Sequence, residues 1–379
     1  MSARFAIAAP RILAADGWRR DHAVIVRDAA IEAVLPVEAL PGDMDVEHYS
    51  EGELLPGFID TQVNGGGGVL FNDAPTVEAI ATIAAAHRRF GTTTLLPTLI
   101  SDDIAIIERA IAAVEAAIAV GVPGVAGIHV EGPFLNEGKR GIHDATKFRR
   151  LDEAAVTLLS SLRGGRTLVT LAPELAPAGL IRRLVDAGVI VSAGHTLASY
   201  DDMMRARDEG MRGVTHLFNA MTGLDSRAPG VVGAALASDL VCGLIVDGHH
   251  VHPASLRAAF RAKGAGELML VTDAMATVGT RRDHFMLGST LIREQDGALR
   301  AANGTLAGSA LDMAAAVRGA VTLMQLDLAD ASRMASATPA EFLGLEAQRG
   351  RIAPGLRADL VLLDRDLAPL RCWIGGAAD

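Results

Sequence analysis

The 379 residues are 50% hydrophobic, 21% charged and 4% aromatic, too apolar for a disordered chain and long enough for one large domain or two modest ones. Acidic residues outnumber lysine plus arginine by 45 to 35, a formal net charge of −10, which excludes the broad positive field that nucleic-acid binding by counterion release requires. Two cysteines, Cys242 and Cys372, exclude a disulfide framework and point to a reducing compartment.

In chain order, Met1 to Pro10 carries Arg4 and no long apolar run, a poor secretion signal. No 18-residue uncharged apolar stretch follows, so a cytoplasmic protein with no membrane partner is expected. Residues 1–53 hold short alternating segments, Phe5–Ala9, Ala23–Arg27 and Ile31–Leu35, separated by Asp and Gly; these predict small antiparallel β structure. From residue 54 the pattern changes to continuous apolar runs, the mark of strands buried on both faces. They are Leu54–Gln62, Thr92–Thr98, Val125–Glu131, Leu168–Pro173, Val189–His195, Gly213–His216, Val241–Asp247 and Leu268–Asp273.

Between them lie stretches with helical spacing: Val77–Phe90, with Ile80, Ile83, Ala84 and His87 on one face, then Ile104–Val120, Ile181–Ala187, Tyr200–Glu209 and Ala254–Lys263. Strand alternating with helix predicts parallel β with crossover helices. Eight such units predict an α/β (β/α)8 TIM-like barrel over residues 54–348. The alternative is an open doubly wound sheet, but no G-x-G-x-x-G follows the first strand. Phe285–Leu291 and Ala298–Ala302 flank Asp296-Gly297, a hairpin signal, so a β-hairpin is expected as an insertion near 284–303. Pro354-Gly355 turns the chain into a strong strand, Asp359–Asp364. Residues 349–379 are therefore expected to join residues 1–53 as one discontinuous small β-sandwich domain.

Side chains at the C-terminal ends of barrel strands converge on one mouth. Glu131, His195 and His216 end three different strands, and a carboxylate with two imidazoles makes three ligands and an open position, the pattern of a catalytic zinc-type site. Asp273, in Leu-Val-Thr-Asp-Ala-Met, reads as a general base toward water activated by that metal; a helix N-cap is the other reading of an aspartate there. His129 lies two residues before Glu131, on the same strand face, and reads as a partner or core group more than a ligand. His143, in the loop after the third strand, reads either as a group that polarises a carbonyl or as a solvated loop histidine. Asn64-Gly-Gly-Gly-Gly68 resembles a phosphate loop but lacks the Gly-Lys-Ser/Thr that would follow it. Phosphate recognition points instead to Arg227 and His250 on mouth loops, with a surface role open for Arg227.

The chain resembles the amidohydrolase superfamily and, within it, the N-acetylglucosamine-6-phosphate deacetylases. The resemblance rests on Pro56-Gly-Phe-Ile-Asp60, His129-Val-Glu-Gly-Pro133, Ser192-Ala-Gly-His195, Thr215-His-Leu-Phe-Asn-Ala-Met221, Val246-Asp-Gly-His-His250, Val271-Thr-Asp-Ala274, Gly304-Thr-Leu-Ala-Gly-Ser309 and Pro354-Gly-Leu-Arg-Ala-Asp-Leu360. It implies a metal-dependent barrel with a small β domain from both termini. It also implies one divalent metal on Glu131, His195 and His216, with zinc first and iron, cobalt or manganese as alternatives. Asp273 would be the catalytic acid and base, and His143 would polarise the acetamide carbonyl. Ile142, His143, Asn219, Ala220, Arg227, His250, Leu306, Ala307 and Gly308 would contact an amino-sugar phosphate.

Arg227 would be offered across a homodimer interface. Many relatives carry His-x-His on the first strand for a second metal; Gln62-Val-Asn64 stands there, so a single metal is expected. The implied reaction is hydrolysis of N-acetylglucosamine 6-phosphate to glucosamine 6-phosphate and acetate. Rival readings are the galactosamine epimer, a cyclic-amide hydrolase and a catalytically dead scaffold. The fourth strand lacks the lysine that two-metal cyclic-amide enzymes use.

Overall fold

The buried apolar runs become eight parallel strands in the computed structural model, which describes residues 4–379. They are β1 (Phe58–Val63), β2 (Thr92–Ile100), β3 (Gly127–Glu131), β4 (Arg166–Leu171), β5 (Ile190–Ala193), β6 (Gly213–Val214), β7 (Val241–Leu244) and β8 (Leu268–Leu270). Each pairs with the next in chain order. The ladder closes where Val63 bridges Ala274 in parallel: Asp273 N–H donates to the Gln62 carbonyl at 3.0 Å and Asn64 N–H to the Ala274 carbonyl at 2.9 Å. Closure leaves no sheet edge unpaired and brings the two ends of the barrel sequence, β1 and β8, side by side.

The crossover helices include the five expected from spacing, observed as Val77–Arg88, Ile104–Ala119, Leu180–Asp186, Tyr200–Asp208 and Pro253–Lys263. Two more, Glu153–Leu159 and Gly230–Leu236, are only two turns long, too short to declare a period. After β8 come the inserted strands and three helices, Met313–Thr322, Leu328–Ala335 and Ala337–Leu343. Among the described residues no helix is long and apolar enough to cross a membrane.

The first expected strand, Leu54–Gln62, is two elements. Glu53–Pro56 runs parallel to Arg11–Ile12 and antiparallel to Leu360–Leu363, so it belongs to the terminal sheet, and β1 starts at Phe58. Gly57 makes the break possible, because a Cβ there would meet the Thr93 side chain at 2.3 Å. The terminal sheet has eight strands drawn from both chain ends and encloses its own apolar interior, including Ile7, Val24, Leu54, Leu360, Leu362 and Trp373. Along Leu360–Leu363 the period of two divides the side chains: Val361 and Leu363 pack into the barrel's cluster, Leu360 and Leu362 into the terminal one.

The inserted unit has three strands, not two: His284–Leu287, Thr290–Gln295 and Ala298–Ala301. The run read as one strand over 285–291 turns at Gly288, φ 56°. The expected Asp296-Gly297 turn is present with φ of 52° and 81°, both positive as tight hairpin turns demand.

Candidate metal centre and active site

His195, His216 and Asp273 each sit just past the end of a strand, at φ of 49°, 34° and 53°. Left-handed backbone costs a non-glycine residue about 1–2 kcal/mol, and closure and burial of the barrel mouth hold all three in it. All three line the cavity at the mouth. Glu131, on the last residue of β3, meets them: its Oε1 lies 3.0 Å from His195 Nε2 and 3.0 Å from His216 Nε2. The two Nε2 atoms are 3.1 Å apart, and all three residues are buried. Those three are the group in which the described residues could hold a metal.

The donor chemistry fits a cation. A carbonyl oxygen only accepts, so the 2.8 Å contact between His195 Nδ1 and the Lys139 carbonyl puts the ring proton on Nδ1. With Nδ1 so engaged, Nε2 is the His195 nitrogen left to face the carboxylate oxygen and a cation held beside it. An imidazole that donates its outer N–H to a backbone carbonyl is the usual supporting contact of a metal-ligating histidine. Burial opposes ionisation of Glu131, yet the His195 and His216 rings beside it hold its carboxyl well below the usual range. Burial likewise opposes a charged His216, but Glu131 raises its pKa.

Asp273 lies beside this group. Burial first, then the negative Glu131, push its carboxyl up to about 6. Two amides hold it: Asn64 Nδ2 donates to Oδ1 at 2.7 Å and Gln62 Nε2 at 3.1 Å. Gln62 Nε2 also donates to Glu131 Oε2 at 3.0 Å. The amides that replace a His-x-His pair thus tie the two carboxylates together without adding charge. Beneath β1 and β8, Asp60 accepts hydrogen bonds from Thr272 Oγ1 and from the backbone N–H groups of Gln62 and Thr272, and burial pushes its carboxyl up to about 7.

His143 completes the centre from the long loop after β3. Its Nε2 is 3.9 Å from Glu131 Oε1, and its ring centroid is 4.4 Å from that of His195. Burial, then the neighbouring His195, lower its pKa to about 3. His129 faces the barrel interior instead, 3.0 Å from the Thr61 carbonyl and 2.7 Å from Thr170 Oγ1. From Thr170 a chain of hydroxyl contacts runs through Thr215 to Ser192, a polar layer under the centre.

A cavity of about 620 Å³ opens above the group, lined by Ile142, His143, Asn219, Ala220, His250, Leu306 and Gly308 among others. Ala307 is fully buried beneath that wall and does not line the cavity. Asp247 orients His250, with Oδ2 2.6 Å from Nδ1. Arg227 does not line the cavity in this single chain; it is exposed on the loop between β6 and the helix that follows. Three cations not anticipated as site residues, Lys139, Arg140 and Arg300, do line it. Glu174, just after β4, was also missed: it accepts from Asn136 Nδ2 at 2.9 Å, from Leu197 N–H at 2.7 Å and from the Thr196 hydroxyl, binding the loops after β3, β4 and β5 together. A carboxylate at a strand's C-terminal end was the available signal.

Comparison with known proteins agrees with this geometry. Residues 54–378 match the amidohydrolase family. An N-acetylgalactosamine-6-phosphate deacetylase from Shewanella sp. (strain ANA-3) is 46% identical over 93% of this chain and 90% of its own length. An N-acetylglucosamine-6-phosphate deacetylase from Haemophilus influenzae is 34% identical over 90% of this chain and 91% of its own. The crystal structure of N-acetylglucosamine-6-phosphate deacetylase from Pasteurella multocida superposes with a TM-score of 0.96 at 34% identity, covering 100% of both chains. By fold, sequence and the residues gathered at its barrel mouth, the chain belongs to the amidohydrolase family and, within it, to the amino-sugar-phosphate deacetylases.

Proposed function

We propose that this protein hydrolyses the acetamide of N-acetyl-D-glucosamine 6-phosphate to D-glucosamine 6-phosphate and acetate. The observation that carries the reading is the convergence of Glu131, His195 and His216 beside Asp273 and His143 at one cavity floor. A divalent cation held by those three residues, zinc by preference for a Glu/His/His set, would supply Lewis-acid polarisation of the carbonyl and lower the pKa of water toward ~7. Asp273, fixed at Oδ1 by Gln62 and Asn64, takes the proton of the attacking water and returns it to the departing amine nitrogen. His143 donates to the carbonyl oxygen as negative charge gathers there. Asn219, the backbone at Ala220, Leu306 and Gly308 contact the sugar, Ile142 lines the wall around it and Ala307 packs behind that wall.

His250 takes one part of the phosphate. Arg227 takes the other from a partner copy in a homodimer, a reading supported by its exposure outside the chain's own cavity. A cytoplasmic setting is supported by two buried free cysteines.

A second reading, preference for the galactosamine epimer, is favoured by the 46% identity to the Shewanella enzyme. Acetate release from both 6-phosphates and from unphosphorylated N-acetylglucosamine, with metal quantified on the same sample, separates them. Phosphate-dependent turnover with about one metal per chain is expected, higher in kcat/KM on the gluco substrate. The reverse order installs the second reading, and bound metal without turnover on any of the three removes both.

A further inference from the structure

We infer that Ser101, the residue immediately after β2, is a positioning residue that selects the tautomer of His143 and so makes its Nε2 a hydrogen-bond donor toward the reacting carbonyl. The inference rests on the deacetylase reading and deepens it.

Ser101 Oγ lies 2.8 Å from His143 Nδ1, and the Ser101 backbone N–H points at the same nitrogen, 3.4 Å away. An amide N–H can only donate, so Nδ1 must accept; a proton on Nδ1 would set donor against donor at a buried contact. Ser101 and His143 are both buried, 7% and 5% exposed. The hydroxyl, free to rotate, then adds a second hydrogen bond to the same lone pair. The single proton of the neutral ring is left on Nε2, the nitrogen that faces the metal group 3.9 Å from Glu131 Oε1.

The packing allows little else. A Cβ on Gly132 would fall 2.3 Å from Ser101 Oγ, so the absence of a side chain at Gly132 makes room for the hydroxyl. Ring contacts with His195 and Phe148, at centroid distances of 4.4 and 6.5 Å, bracket the imidazole. Neither His195 nor Phe148 offers Nδ1 a hydrogen bond, so the tautomer rests on Ser101. A ring with the opposite tautomer would present a lone pair to the carbonyl oxygen and repel the charge that develops on it. This is the orienting logic of a group that fixes which nitrogen of a catalytic histidine carries the proton.

The test is nitrogen NMR of the zinc-loaded protein labelled with 15N-histidine, with His143 assigned from a His143→Gln spectrum. A pyridine-type shift at Nδ1 and a pyrrole-type shift at Nε2 are expected for His143. Ser101→Ala keeps the backbone donor but loses the hydroxyl. It should move the Nδ1 resonance and lower kcat about tenfold, a typical loss for a residue supporting a catalytic or metal-bound group, with KM and metal content unchanged. A pyrrole-type Nδ1 in the unaltered protein overturns the inference even if Ser101→Ala fails to fold, as does a folded Ser101→Ala with unaltered shifts and kcat. Absence of acetate release by the unaltered protein is a different failure: it removes the deacetylase reading and leaves the tautomer measurement to stand or fall alone.

Discussion

At the scale of single residues, environment sets what chemically similar side chains do. Glu131 is buried and Asp273 half-buried beside it, yet one carboxyl is held well below its ordinary pKa by two imidazoles and the other is pushed up to about 6. On the proposed reading, paired carboxylates driven apart in this way would divide ligand from acid/base duty. Asp273→Asn should therefore keep metal content at the level of the unaltered protein and lower kcat by at least about a hundredfold, measured by acetate release; unimpaired turnover would take the acid/base role from Asp273. His87 gives a stability prediction. Burial lowers its pKa from 6.5 to about 4, and its Nε2–H donates to the Gly65 carbonyl at 2.9 Å.

Between those two values the unfolded chain binds a proton that the native chain does not, so the neutral His87 contribution is complete above pH 6.5 and is lost as pH falls toward 4. The 2.5-unit difference (6.5 − 4) corresponds to about 3 kcal/mol. Urea denaturation from pH 7 to 4 should show a shallower slope for His87→Gln than for the unaltered chain. Parallel slopes would mean His87 titrates normally in the folded state.

At the scale of elements, local signals control helix ends and barrel mouths alike. The helix Tyr200–Asp208 opens with a reciprocal cap: Ser199 Oγ accepts from Asp202 N–H at 3.2 Å, and Asp202 Oδ2 accepts from Ser199 N–H at 3.0 Å. Ser199→Ala should cost about 1 kcal/mol in urea denaturation and leave metal binding intact; a change below the error of the method would show that tertiary packing alone starts this helix. Long, regular elements announced themselves in sequence because burial on both faces of a parallel strand needs an unbroken apolar run. Some short ones did not: neither Glu153–Leu159 nor Gly230–Leu236 stood out by spacing, and the break at Gly57 depends on a neighbour 36 residues later, Thr93.

At the scale of the whole molecule, two apolar interiors share a wall. The terminal sheet lends Leu55, Val361 and Leu363 to the barrel's cluster, and hydrogen bonds such as Gly57 N–H to the Asp359 carbonyl, 2.9 Å, stitch the chain ends to the start of β1. The cluster of Glu131, His195 and His216, the candidate metal group, is a second long-range tie, joining β3 to the ends of β5 and β6. Binding to the native state alone stabilises it by mass action. Removing metal with a chelator should lower the unfolding free energy by about 3 kcal/mol relative to protein in a hundredfold excess over Kd, and zinc should restore it. Superimposable denaturation curves with and without metal would exclude a cation bound by the folded centre.

The amino-acid sequence determined the alternation of strands and helices, the hairpin turn at Asp296-Gly297 and the residue types of the group that could hold a metal, because each is written locally as a hydrophobic period, a turn dipeptide or a ligand type at a strand end. The barrel's closure, by contrast, was decided in three dimensions, and with it the meeting of Gln62 and Asn64 with Asp273, more than 200 residues away. So were the hold of Ser101 on His143, the clamp of Glu174 on three loops, and the absence of Arg227 from its own chain's cavity. A hydrogen bond between loops depends on where β strands of one register deliver their ends, and that position is a property of the packed barrel rather than of any segment within it.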